Sequence, residues 1–138
     1  MKNFKRTLLA LLLLLATLFC LAGCKNGESK AESFWDSATY KEDVTLGVGS
    51  KSVKVDIEID GKSITITLNT DEEKLGAALY GAGIINDASF FDTVNGIKLD
   101  WNTHKAYWGF YEGEAYMQIG VGDEPISGGE HYRLVYTK

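Results

Sequence analysis

Two histidines and a run of alternating carboxylates are the side chains that could bind a metal or move a proton. His104 and His131 lie 27 residues apart, and neither has a second histidine at the spacing of a metal-binding pair. The stretch Asp56–Asp60 begins like a calcium-binding loop, but the twelfth position, which needs a carboxylate, is Thr67. These residues therefore indicate surface side chains, and the sequence predicts no metal site and no cofactor.

The chain also lacks a recognisable nucleophile arrangement. Ser127-Gly128-Gly129 has the composition of a turn and not of a nucleophile elbow. The glycines between positions 120 and 129 are followed by neither the lysine nor the helix start of a phosphate-binding loop. Because no positioned acid, base and nucleophile can be assembled, we expect a protein that is not an enzyme, with a hydrolase as the least supported alternative.

Aromatic side chains are the most informative group. Six of them fall within 16 positions: Trp101, Tyr107, Trp108, Phe110, Tyr111 and Tyr116. A strand sends successive side chains to opposite faces, so these rings cannot all face one core. Exposed rings suit a flat organic ligand or a protein partner, and all but Phe110 are our ligand-binding candidates. The alternative is packing alone, and Trp108 is the candidate that best fits the core because Phe110 shares its face.

The N-terminus is a targeting segment. Residues 2–6 carry three positive charges, and the apolar run Leu8–Leu21 is shorter than the roughly 20 residues that span a bilayer comfortably. The sequence LAGC at 21–24 resembles the lipobox of bacterial lipoproteins. That resemblance implies acylation of the Cys24 sulfur and cleavage before Cys24. The alternative is a plain signal peptide followed by a chance cysteine.

Composition and charge exclude several classes of protein. The 138 residues carry a net charge of −5, and removing residues 1–23 takes away three basic residues and no acidic ones, which makes it −8. An acidic chain argues against a nucleic-acid partner. Cys24 is then the one cysteine that remains, so a disulfide scaffold is excluded. We expect a signal peptide at 1–23, a polar tether at 24–33 and one domain at 34–138.

Local patterns predict the elements of that domain. Residues 53–69 alternate apolar and polar around Asp60-Gly61, which predicts a β-hairpin. Apolar residues at helical spacing from Leu75 to Ala82 predict a helix, with Thr70 and Glu73 as its capping box and Gly83 as its end.

The second half of the domain reads as strands. Residues 93–98 predict a hairpin around Asn95-Gly96, and we expect strands at 106–112, 116–121 and 132–136. Residues 36–52 are expected to be irregular, while Phe34 and Trp35 dock onto the domain. These elements give an α+β fold, a β-grasp-like mixed sheet with one helix packed across it.

An ordered set of residues runs through the domain. Its members are Trp35, Ala38, Tyr40, Asp43, Gly47, Gly49, Thr70-Asp71, Leu75-Gly76, Ala78-Leu79, Val94-Asn95-Gly96, Tyr107-Trp108, Phe110, Gly113-Glu114, Met117, Gly120-Val121, His131-Tyr132 and Leu134–Lys138. This set resembles a known family, the bacterial lipoproteins with a transcobalamin-like C-terminal domain, of the soluble-ligand-binding β-grasp group. The chain departs from the family pattern in or beside loops, at Ser89–Asp92 and Leu99–Asn102.

The resemblance implies a function. In transcobalamin and intrinsic factor the related domain closes over one face of cobalamin, beside a large helical domain that is absent here. We therefore expect a lipid-anchored extracytoplasmic protein that captures a small organic ligand, such as cobalamin, for uptake, with a membrane transporter as a partner. The alternative is a cell-surface protein-interaction module that uses the open sheet face or an edge strand.

Overall fold

The computed structural model describes residues 33–138. The expected signal peptide at 1–23 and the expected lipidation site Cys24 lie outside these residues. Within the described part of the chain, no helix is long and apolar enough to cross a bilayer.

The first predicted hairpin is confirmed. Strand β2 (Lys51–Ile59) pairs with β3 (Lys62–Thr70) in antiparallel register from Lys51↔Thr70 to Ile59↔Lys62. Asp60 and Gly61 take positive φ values of 56° and 70°, as a two-residue turn of this twist requires. Alternating side chains of both strands are buried, so the hairpin covers a core with one face.

A six-stranded mixed sheet grows around this hairpin. Its other strands are β1 (Val44–Leu46), β6 (Tyr107–Glu112), β7 (Ala115–Tyr116) and β8 (His131–Thr137). The spatial order is β1-β3-β2-β8-β6-β7. Pairs β1–β3 and β2–β8 are parallel and the remaining pairs are antiparallel. With one main helix, this confirms the predicted α+β fold.

Helix α1 (Leu75–Gly81) lies where the apolar spacing predicts a helix, and Gly83 follows its end with φ 74°. The predicted capping box is wrong. Thr70 is the last residue of β3, and its hydroxyl accepts a hydrogen bond from the Glu72 N–H at 3.0 Å. The residue that precedes the helix is Lys74, which makes no side-chain capping bond.

Two further expectations are corrected. Residues 44–46 were expected to be irregular but form edge strand β1 beside β3. The predicted strand at 116–121 stops at Tyr116, because the following residues form the loop that holds α1. In that loop the Val121 carbonyl accepts a hydrogen bond from the Gly76 N–H at 2.8 Å. A single helical turn, α2 (Trp101–His104), was not predicted.

Residues 34–40 pack against the domain and hydrogen-bond to the second hairpin. This confirms the predicted docking of Phe34 and Trp35. A 3-10 helix (Phe34–Ser37) buries Trp35. Between β4 (Thr93–Val94) and β5 (Ile97–Lys98), the buried Asn95 amide donates to the Tyr40 carbonyl at 2.8 Å and accepts from the Tyr40 N–H at 2.9 Å.

Candidate functional site

Strand β6 divides its aromatic residues between the two faces of the sheet, as its alternation predicts. Trp108 and Phe110 are 6% and 8% exposed and belong to the core. Tyr107 is 41% exposed on the other face, which we call the open face, and Tyr111 is partly buried there. The backbone register of β6 therefore decides which rings remain available to a ligand.

Trp108 lies in the core, where a ligand on the open face cannot reach it. Its side chain is buried, and its indole N–H donates to the Ile97 carbonyl at 3.2 Å. Both the ring and its polar atom are therefore satisfied inside the domain. This placement corresponds to the core alternative considered for this residue.

The other four candidates form two pairs. The rings of Tyr111 and Tyr116 pack edge to face with centroids 5.3 Å apart. The rings of Trp101 and Tyr107 are tilted by 52° with centroids 6.5 Å apart. Tyr107 and Tyr111 are four residues apart on one strand, or about 13 Å. The open face thus carries two aromatic clusters at opposite ends of β6.

Gly109 sets the shape of the surface between these clusters. A Cβ atom at this position would lie 2.6 Å from the Thr137 hydroxyl and 3.0 Å from Cε2 of Tyr111. The missing side chain therefore gives the Tyr111 ring room to lean along the strand. Tyr111 is therefore partly buried, while Tyr107, Trp101 and Tyr116 remain exposed.

Arg133 on β8 connects this surface to the middle of the sheet. Its guanidinium donates to both carboxylate oxygens of Glu58, at 2.6 and 2.9 Å, and to the Gly113 carbonyl at 3.1 Å. The guanidinium carbon lies 5.5 Å from the centroid of the Tyr111 ring. The Glu58 hydrogen bond raises the pKa of Arg133 further above its ordinary value. Sequence reasoning missed this residue because its neighbours depend on strand register.

Each histidine ring contacts a neighbouring polar group. His131 Nε2 lies 2.9 Å from Asp56 Oδ2 on the open face, and the Thr65 hydroxyl donates to the other Asp56 oxygen at 2.7 Å. His104 Nδ1 accepts the Asp100 N–H at 3.0 Å. Within residues 33–138, no group of three or more His, Cys, Asp or Glu residues is placed to hold a metal ion.

The arrangement offers groups that suit non-covalent binding. It presents ring faces, phenol hydroxyls and a guanidinium that is already neutralised by Glu58. Such a surface favours contact with a flat, largely apolar molecule that carries some hydrogen-bonding groups at its edge.

No protein-family model matches the sequence, and no similar sequence is found among curated proteins. The fold is similar to that of a candidate metal-binding protein from Ruminococcus gnavus, with a TM-score of 0.59 and 20% identity, covering 64% of this chain and 98% of that protein.

The fold is also similar to part of haptocorrin, solved in complex with Cbi. The TM-score is 0.52 and the identity 15%, covering 67% of this chain and 26% of haptocorrin. The chain therefore matches about a quarter of haptocorrin's length. At these identities the likeness establishes the fold alone, and that fold is the transcobalamin-like one expected from the sequence.

Proposed function

We propose that this chain is an extracytoplasmic binding lipoprotein, held at a bacterial cell membrane by acyl chains on Cys24, which captures a flat organic ligand for uptake and catalyses no reaction. The observation that supports it most is the pair of aromatic clusters on the open face. Their rings are held by one another and by Arg133, so binding costs little side-chain ordering.

A corrinoid is the first ligand to test. Haptocorrin, whose fold is similar, was solved with Cbi, a cobalamin analogue. The roughly 13 Å between Tyr107 and Tyr111 suits a broad, flat ring system. Because this chain matches only a quarter of haptocorrin, it covers one side of such a ligand. Binding is then weak, or is shared with a membrane transporter.

The test is titration of the purified protein with cobalamin, cobinamide and an unrelated tetrapyrrole, followed by absorbance and calorimetry. We expect saturable binding that weakens at least tenfold in Tyr107→Ala and Tyr111→Ala, with unchanged circular dichroism. Tyr80→Ala is the matched control, because Tyr80 is 56% exposed but lies on α1, away from this face. Absence of heat and of spectral change at high micromolar corrinoid contradicts the corrinoid assignment. Loss of folding in the two variants reverses the assignment of faces.

Anchoring is tested separately. Cells that express the chain are labelled with a palmitate analogue, and we expect label on the chain that disappears in Cys24→Ser. An unlabelled wild-type chain contradicts the anchor and leaves the ligand-binding test unaffected.

A cell-surface protein-interaction module is the alternative. Strand addition would use the outer strands of the sheet, but β1 has three residues and β7 has two. Such short edges offer few backbone groups to a partner, so the ligand proposal is better supported. Consistent recovery of one cross-linked partner that persists in Tyr107→Ala favours the alternative.

A further inference from the structure

Ser33 and Phe34, the first residues of the described chain, contact one end of the sheet. The Ser33 hydroxyl donates to Asp60 Oδ2 in the β2–β3 turn at 3.0 Å. The Phe34 ring then packs against His104 at 5.1 Å and Tyr136 at 5.7 Å. Ser33, the first residue that the structure describes, therefore lies beside the β2–β3 turn.

Strand register shows what else lies at this end. Lys62 begins β3 opposite Ile59, and Thr137 ends β8 opposite Tyr107. Because β8 runs parallel to β2, the ends of these strands meet at the β2–β3 turn. We call this the proximal end, defined by Asp60–Lys62, Trp101–Tyr107 and Tyr136–Lys138. The distal end, where β3 finishes at Thr70, is about 27 Å away.

The two ends differ in charge. The proximal end carries Lys62, Lys105 and Lys138, and none of them forms an ion pair with a residue of the described chain. Two carboxylates lie at or beside this end. Asp60 accepts from Ser33, and Asp100 accepts the N–H groups of the first turn of α2, so both keep their negative charge and the three lysines leave a small positive excess.

The distal end is acidic. Its loops and strand ends carry Asp71, Glu72, Glu73, Glu112, Glu114, Asp123 and Glu130. Lys51 donates to the Glu72 carbonyl at 2.8 Å and Lys74 to the Asp123 carbonyl at 2.9 Å, and the seven carboxylates outnumber these two lysines. An anionic surface would repel this end and accept the other.

We propose that the proximal end rests on anionic lipid headgroups, with Trp101 at the interface and Lys62, Lys105 and Lys138 facing lipid phosphates. Trp101 is 56% exposed, and tryptophan and lysine are the residues that favour the membrane–water interface. This inference rests on the proposed anchor at Cys24, from which residues 25–32 keep Ser33 within about 30 Å of the lipid.

The geometry has a consequence for the ligand site. The strands would stand along the membrane normal, with the open face turned sideways. Tyr111 and Tyr116, about 13 Å further along the sheet than Tyr107, would remain clear of lipid. The Tyr111–Tyr116 cluster therefore stays open to a ligand. A ligand that spans both clusters competes with the headgroups for Trp101, because Trp101 packs against Tyr107.

The experiment couples residues 24–138 through Cys24, the single cysteine of that chain, to a maleimide lipid in vesicles. The hydrophobic core described above lies between Trp35 and Leu134, so this chain retains it, and circular dichroism checks the fold. Chemical coupling bypasses cellular acylation. Failure of the membrane contact is thereby separated from failure of the anchor or of ligand binding.

The measurement is quenching of tryptophan fluorescence by lipids brominated close to the headgroup. Trp35 and Trp108 are each 6% exposed, so Trp101 is the indole that lipid can reach. We expect clear quenching in vesicles that contain phosphatidylglycerol, and its loss in Trp101→Phe. Replacing the three proximal lysines with glutamine, or removing phosphatidylglycerol, should reduce quenching at least twofold.

The matched control is Val48→Trp in the Trp101→Phe background. Val48 is 90% exposed in the loop that packs against the distal end of β3, so the new indole should not be quenched. Equal quenching at both positions, or no quenching of Trp101, overturns the proposal. Quenching that ignores phosphatidylglycerol also overturns it, because the lysines would then have no role.

Discussion

The two faces of the sheet use the same strands in different ways. On the core face, Trp108 and Phe110 of β6 lie beside Tyr132 and Leu134 of β8, and each is at most 8% exposed. On the open face, Tyr107 and Tyr111 alternate with them, and Arg133 lies between Tyr132 and Leu134. Residues that are adjacent in sequence thus meet opposite environments.

This difference separates stability from recognition. Core-face side chains gain free energy by leaving water, and they have no freedom to serve another molecule. Open-face side chains contact mainly one another, through an edge-to-face ring pair and an ion pair that solvent partly screens. Substitutions on the two faces should therefore differ in which property they change, and four experiments test this in decreasing order of effect.

The largest effect is expected for Trp108→Ala. Removing a buried indole leaves a cavity and removes the hydrogen bond to the Ile97 carbonyl, which should lower the free energy of unfolding by about 3–5 kcal/mol. Urea denaturation measures this change. Tyr107→Ala, one position earlier on the open face, should change stability by no more than about 0.5 kcal/mol. Similar losses in the two variants would break the distinction between faces.

The next effect tests a polar contact inside the core. The Tyr132 hydroxyl donates to Glu124 Oε1 at 2.9 Å, and both residues are buried. Burial, with the Glu124 contact, raises the pKa of Tyr132 above its ordinary value, so the phenol stays protonated and keeps donating. Tyr132→Phe should cost about 1–3 kcal/mol, because Glu124 loses its donor.

The control for that substitution is Tyr116→Phe, which removes a hydroxyl from a side chain that is 51% exposed. Thermal and urea denaturation should show no measurable loss for this variant. Equal stability of the two variants would mean that the buried contact adds nothing.

A smaller effect is expected on the open face itself. Glu58→Gln removes the anion from Arg133, but both side chains are about a quarter exposed, so the loss should stay below about 1 kcal/mol. High salt should shrink it further. A double-mutant cycle with Arg133→Gln isolates the coupling energy. A coupling of several kcal/mol would show that the open face also holds the fold together.

The smallest effect is a pH dependence at the sheet's distal end. Burial opposes ionisation of Glu130, but N–H groups of Ser127 and Gly128 donate to its carboxylate and hold its pKa below the ordinary 4.5. The folded state thus binds this proton less readily than the unfolded state. Ionised Glu130 stabilises the fold above about pH 4.5, and this contribution disappears as the pH falls through the lower, folded pKa.

Glu130→Gln should therefore flatten the stability profile below pH 4.5 by a few tenths of a kcal/mol, the size expected for a solvent-screened group. Glu114→Gln is the control, because that side chain is 98% exposed. Denaturation at a series of pH values provides the measurement. Parallel profiles for the wild type and Glu130→Gln would contradict the role of the carboxylate.

Local signals predicted most of the fold. Asp60-Gly61 and Asn95-Gly96 specify their turns through residues that accept positive φ, and both hairpins form. Strand β1 carries no such signal, since its three residues are held by parallel pairing with β3, about 20 positions further along the chain. The predicted helix cap failed because Thr70 still belongs to β3 and the helix begins only at Leu75.

The candidate site was predictable where it depends on a single strand. Alternation along β6 separated Tyr107 and Tyr111 from Trp108 and Phe110 without knowledge of any partner strand. The roles of Gly109 and Arg133 depend on how β6 and β8 align, which the residues of either strand do not specify alone.

The two Asn95–Tyr40 hydrogen bonds would bear a mechanical load if the domain is tethered through its N-terminus. A pull on the tether enters at Ser33 and acts on its hydrogen bond to Asp60, then on the 3-10 helix and the paired Asn95 amide bonds. These contacts would break under tension before the strands of the sheet separate. Their loss would lengthen the N-terminal tether and leave the hydrogen bonds among β2, β3 and β8 intact.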